Sequence, residues 1–206
     1  MSEPTPRIAE IPISRRHDLI AIAATEFARR GYRATTMRHI ADAAGILAGS
    51  LYHHFKSKEE ILREVMLEST TQYVIELEAI ATSQSSSLEK IEAAIIHRLE
   101  LYQQQGMSLG VVLQTDKTTL QEPMFLEMRQ LGRRIDTAWD SILEEGKQNS
   151  SLPADLETRA ITYAIVGMLN WAHRWYNPDG RLEPKALARV WANMVLNGIL
   201  SPKGQS

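Results

Sequence analysis

The stretch Thr35–Lys58, TTMRHIADAAGILAGSLYHHFKSK, reads as two short helices hinged at a glycine. Thr35 or Thr36 can cap the first helix, because a threonine hydroxyl accepts from an orphan N–H of the opening turn. Met37, Ile40, Ala41 and Ala44 recur at helical spacing and give that helix one apolar face of about two turns. Gly45 follows the last periodic residue, where a left-handed conformation costs least for glycine. Ile46 re-enters the core, and Ala48–His54 can form a second short helix. This is the spacing of a helix-turn-helix, whose second helix lies in a DNA major groove.

The second helix is informative for what it leaves outside. With Leu51 and Phe55 inward, Ala48, Gly49, Ser50, Tyr52 and His53 face outward. Small residues at its start allow close approach to base edges, and a hydroxyl, a phenol and an imidazole can bond bases and phosphates. Ser57 caps the next helix, and Lys58 beside it can hold a phosphate together with free N–H groups.

The run T-T-M-R-x-I-A-x-x-A-G-I-x-x-G-S-L-Y-x-H-F-x-S-K-E-E resembles the DNA-binding domain of the TetR family of bacterial transcriptional regulators. The likeness covers about the first quarter of the chain and joins several fixed spacings. It implies an all-helical homodimer that leaves its operator when a small molecule binds the C-terminal domain. Where Leu47-Ala48 stand, the family often carries valine-serine or similar.

Composition sets the outer limits. A chain of 206 residues, 44% hydrophobic, can build one sizeable core or a small domain plus a larger one. It contains no cysteine, which excludes a disulfide framework, cysteine-ligated zinc and thiol catalysis, and fits a reducing, cytoplasmic setting. The N-terminus lacks the apolar run of a signal peptide, and Ala160–Ala172 is too short to span a bilayer, so no membrane partner is expected. The net charge of −2 is unevenly divided: from Arg15 to Lys58 eight basic residues face three acidic ones, +5, leaving −7 elsewhere. A basic head on an acidic body directs nucleic acid to one end.

Along the chain, residues 1–13 carry three prolines and read as a flexible arm, in which Arg7 can reach a minor groove. The helix-turn-helix domain spans 14–57. Ser14 caps a first helix with Leu19, Ile20, Ala23, Ala24, Phe27 and Ala28 inward, ended by Gly31. Ser57-Lys58-Glu59-Glu60 reads as a capping box opening a long helix to about Thr82, able to transmit a pivot between head and body. The ligand-binding and dimerisation body is 58–206. Ser83–Ser87 (SQSSS) reads as a polar linker where a domain boundary belongs. Helical pattern resumes at Leu88 and breaks at Gly106. Pro123 opens another helix, running to about Lys147. The last two helices are expected over Asp155 to about Tyr176 and Pro184 to about Leu200. No strand alternation appears. The expected class is all-α.

In the last two helices Ile161, Ile165, Met168, Val190, Trp191, Met194 and Val195 form wide apolar faces suited to a four-helix dimer interface as well as to burial within one subunit. Met107, Phe125, Met128, Trp139, Met168, Trp171 and Trp175 are candidates to line an apolar effector cavity, or are plain core. The run N-W-A-H-R-W-Y-N-P-D-G over Asn170–Gly180 resembles the W-x-x-R-W-Y-x-P-x-G pattern of TetR members that answer to fatty-acyl or steroid-derived CoA thioesters. That likeness makes Arg174 the natural partner of a phosphate or acyl carbonyl, with Arg129 and Arg133 as further candidates; an ion pair is the competing role for Arg174.

No catalytic constellation is present. His53 and His54 are adjacent and point to different sides of a helix, no H-x-x-x-H spacing offers a metal site, and neither a G-x-S-x-G elbow nor a phosphate loop occurs. The sequence is therefore read as a ligand-responsive, homodimeric regulator of a double-stranded DNA operator. Thr36, Tyr52, His53 and Lys58 are placed on phosphates and Arg38, Gly49 and Ser50 nearest base edges. The rival readings are a helical protein-interaction adaptor, which leaves the basic head unexplained, and an enzyme on a helical scaffold.

Overall fold

The computed structural model describes residues 16–114, 120–177 and 180–199, with the side chains of all but 105–114, 173 and 199. The arm, the Ser14 cap and the Met107 side chain lie outside that description. Among the described residues the chain is helical throughout: α1 Arg16–Arg30, α2 Met37–Ala43, α3 Ala48–His54, α4 Lys58–Thr82, α5 Ser87–Gln114, α6 Glu122–Gln148, α7 Thr158–Trp171 and α8 Pro184–Ile199, with a 3₁₀ turn at Ala172–Arg174. No helix among them is long and apolar enough to cross a membrane.

Two compact units divide between Leu62 and Arg63. The boundary thus falls within α4, whose first turn gives Ile61 and Leu62 to the core. The polar run at 83–87 lies inside the second of these units. It is a tight turn ending in a capping box: Ser86 Oγ accepts from Glu89 N at 3.4 Å and Glu89 Oε2 accepts from Ser86 N at 2.8 Å.

In the first unit α1 packs on α2 and α2 on α3. Gly31 (φ +80°) ends α1 and Gly45 (φ +68°) makes the turn between α2 and α3, both in the left-handed region. Thr36 is the cap of α2: its Oγ1 accepts from His39 N at 3.2 Å, and His39 Nδ1 accepts from Thr36 N at 3.4 Å, so an imidazole fills the usual glutamate role. Thr35 is buried instead, its hydroxyl shared between the carbonyls of Gly31 (2.9 Å) and Glu26 (3.2 Å). Ser57 Oγ accepts from Glu60 N at 3.2 Å, but Glu60 does not return to Ser57. Its carboxylate accepts from Lys56 N at 2.7 Å and meets Arg16 at 3.0 Å.

In the second unit α5 packs along α8 and also touches α6 and α7. It runs through Gly106 without breaking, since one helical glycine costs only about 1 kcal/mol and a 28-residue helix buries an apolar face that outweighs it. Helix α7 begins three residues later than the pattern suggests because Leu156 N–H closes a turn on the Pro153 carbonyl at 3.2 Å. It ends at Trp171, where the chain tightens into the 3₁₀ turn. Trp139 is fully buried at the centre of this core, its Nε1 donating to Tyr73 Oη at 3.3 Å.

Two consequences are measurable. Trp139→Ala should cost the body about 3–5 kcal/mol, read from the urea midpoint by circular dichroism. The Glu60 carboxyl is held below its ordinary pKa, first by the Lys56 N–H and then by Arg16. A depressed carboxyl pKa gives stability above the unfolded value that is lost as pH falls through the folded one. Thermal melts should therefore drop as pH falls below about 5, and Glu60→Gln should flatten that drop.

Candidate nucleic-acid interface and effector region

The recognition helix α3 has seven residues and no side-chain cap at Leu47, so it is held from outside. Leu51 and Phe55 are buried beneath it. At its C-terminal end the Arg16 guanidinium donates to the His54 carbonyl and lies 4.1 Å over the Phe55 ring. Held this way, α3 exposes Gly49, Ser50, Tyr52, His53 and His54, Tyr52 by 54%. Leu47, noted in the sequence only as a departure from the family pattern, is 80% exposed at the start of the same helix. An apolar side chain standing so far out shows up only once the fold is known, since its period matches a buried position equally well.

Thr36 is exposed beside this face; its oxygen is used by the cap, which leaves the hydroxyl proton free to donate. Arg38 is exposed, with Asp42 3.9 Å away on the next turn. Lys58 differs from the others. Its ammonium donates to the carbonyls of Thr35 (2.8 Å), Tyr32 (2.9 Å) and Arg33 (3.5 Å) and lies 4.4 Å from the centroid of the Tyr32 ring. It pins the turn that carries Thr36. The positive charge of the head is also partly spent internally: Glu26, its pKa lowered by Arg30 and then Arg29, binds both guanidiniums at 2.6–2.8 Å.

In the body the effector candidates separate. Trp139 belongs to the buried core and Met168 packs against it. Phe125, Arg129 and Arg133 are exposed on α6, with Met128 half-buried. Around the 3₁₀ turn Arg174 lies 5.4 Å over the Trp171 ring, and Trp175 meets Trp191 edge-on at 5.8 Å. The dimer candidates separate as well. Ile165 and Trp191 are buried, Ile161, Met168 and Val195 pack partly against the core, and Val190 and Met194 stand out on one face of α8. Helix α7 exposes Ala160, Tyr163, Ala164, Gly167 and Trp171. A tyrosine and a glycine in an apolar helix gave no warning of an outward stripe.

Comparison with known proteins assigns both parts. Residues 19–65 match the family model for bacterial regulatory proteins of the tetR family, and residues 84–199 match the tetracyclin repressor-like C-terminal domain. The chain is 34% identical to the HTH-type transcriptional repressor KstR2 of Mycolicibacterium smegmatis over 94% of each chain. It is 33% identical to KstR2 of Rhodococcus jostii, covering 91% of this chain and 92% of that one. The structure of the ketosteroid transcriptional regulator KstR2 of Mycobacterium tuberculosis superposes with a TM-score of 0.85 at 31% identity, over 95% of this chain and all of that one. With a helix-turn-helix head, an all-helical body and both family models matched, the chain belongs to the TetR family of bacterial transcriptional regulators.

Proposed function

We propose that the protein is a homodimeric repressor that binds a pseudo-palindromic operator and leaves it when a CoA thioester with a ring-bearing acyl group binds the body. The observation that carries the DNA half is the exposed face of α3: small Gly49 and Ser50 at its start, then Tyr52 and His53, over a buried Leu51–Phe55 base. Gly49, Ser50 and Arg38 lie nearest base edges, and Leu47 offers an apolar surface to a thymine methyl. Thr36, Tyr52 and His53 donate to phosphates, while Lys58 adds its charge from behind the Thr36 turn. Two copies join through the outer stripes of α7 and α8, led by Tyr163, Val190 and Met194, so that two recognition helices read half-sites one helical turn or a multiple apart.

The effector class rests on similarity to a ketosteroid regulator along nearly the whole chain, and on the Trp171–Gly180 run with Arg174 as its charged contact. Helix α4 belongs to both units and is the element through which effector and operator compete. An effector shifts that competition only by binding the released state more tightly; a hundredfold loss of operator affinity requires a hundredfold preference.

Selection from random duplexes, followed by gel shift, tests this. The protein should enrich one pseudo-palindrome, with affinity falling steeply in salt, and Tyr52→Ala should weaken it by about tenfold or more without changing the sedimentation coefficient. A thioester carrying a ring-bearing acyl group should release the duplex where free coenzyme A does not. Identical shifts across the whole thioester series would contradict the effector assignment.

A further inference from the structure

Helix α5 buries two cations, and only one has an acid. Lys90, 3% exposed, meets Glu145 Oε2 at 2.6 Å. Arg98, just over two turns later and 4% exposed, has no carboxylate within 4.0 Å among the described residues. Its Nη2 donates to Asn170 Oδ1 at 2.9 Å, and its guanidinium carbon lies 4.3 Å from the centroid of the Tyr73 ring and 5.5 Å from that of Tyr102. The Nε–H is buried with no acceptor. Two more buried polar atoms without a partner belong to the same neighbourhood: Nε2 of His97, whose ring stacks on Tyr73 at 5.9 Å, and Oγ1 of Thr70, one helical turn before Tyr73 on α4.

Burying a guanidinium against one neutral oxygen and two ring faces leaves much of its desolvation uncompensated. Each unpaired buried polar group calls for an explanation, and three lie together on α4 and α5. The surroundings say what would complete them. Tyr73, Tyr102 and Trp139 give the cluster aromatic, largely apolar surroundings, and Tyr102 Oη donates to the Leu169 carbonyl at 2.9 Å, tying them to the end of α7. Asn170, which orients Arg98, is the residue before Trp171, so the cluster adjoins the segment assigned above to the effector. Burial pulls the His97 pKa down, leaving a neutral imidazole able to donate from Nε2.

We propose that Arg98 is the inner anchor of the effector site, its Nε–H taking a carbonyl oxygen on the ring system of the acyl group, with His97 and Thr70 as neighbouring donors. This rests on the thioester reading. A nucleotide carries too much charge to enter surroundings this buried, so the anchor holds the end remote from the coenzyme. The buried charge then discriminates among apolar rings of equal size by whether they bear an oxygen acceptor.

The test pairs two probes on the full-length dimer: a CoA thioester of a fused-ring keto acid, and the same thioester with the ring ketone reduced to methylene. By calorimetry the wild type should bind the keto compound about 10- to 100-fold more tightly. Arg98→Met, which keeps the packing of the stem, should erase that difference by weakening the keto compound alone. The infrared stretch of a carbon-13-labelled ring carbonyl should move to lower frequency in the wild-type complex and return in Arg98→Met. Equal affinity for the two thioesters with operator release intact would overturn the anchor and leave the effector reading standing. Equal weakening of both by Arg98→Met would mark Arg98 as structural and overturn it too. If neither thioester binds the wild type or releases its operator, the effector reading fails and the anchor with it. Should Arg98→Met not fold, the wild-type pair and its carbonyl frequency decide alone.

Discussion

A helix of seven residues cannot hold its own shape in water: nucleation is costly and too few bonds propagate from it. Every feature of the head follows from that constraint on α3. Leu51 and Phe55 bury its inner face, Arg16 takes its terminal carbonyl and covers Phe55, and Glu60 binds both Arg16 and the N–H of Lys56. One helical turn is thus tied to the start of α1 and the first turn of α4. The turn between α1 and α2 is fixed the same way, with Lys58 holding the carbonyls of Tyr32, Arg33 and Thr35. Order imposed before DNA arrives is entropy that binding need not supply, and it leaves the outer face of α3 free to be small and polar.

The body solves a different problem. Its long helices are stable through area rather than clamps, with Trp139 and the aliphatic residues of α5 at the centre. Polar groups are then the exceptions that define it. Outside, bidentate pairs from Arg63 to Glu127 and from Arg134 to Glu78 join α4 to α6 at 2.6–2.9 Å; half-exposed, they add alignment more than energy. Inside, Lys90 is neutralised and Arg98 is not.

The head was almost fully legible because its periods are short and its breakers explicit. Gly31 and Gly45 sit where the sequence places them, and α3 runs from Ala48 to His54 as its spacing requires. Side-chain partners were less so. That His39 would serve Thr36, or that Lys58 would turn inward, depends on a rotamer and not on a spacing. In the body, the serines at 83–87 form a turn and a capping box whose partners composition alone does not give, and Gly106 suggested a break because local propensity ignores packing. The division of Ile165 from Val190, both apolar at helical period, is a property of the assembled bundle. Arg98 was illegible for the opposite reason: an arginine in a helix is read as surface until its burial is seen.

The proposed function depends on two copies of α3 entering duplex DNA together. Hydroxyl-radical footprinting on a selected duplex measures this most directly. Two protected patches are expected on one face of the DNA, their centres one helical turn or a multiple apart, each spanning the backbone that flanks one major-groove half-site. A folded dimer that protects no duplex at low ionic strength, or protects a single patch, would contradict the proposal.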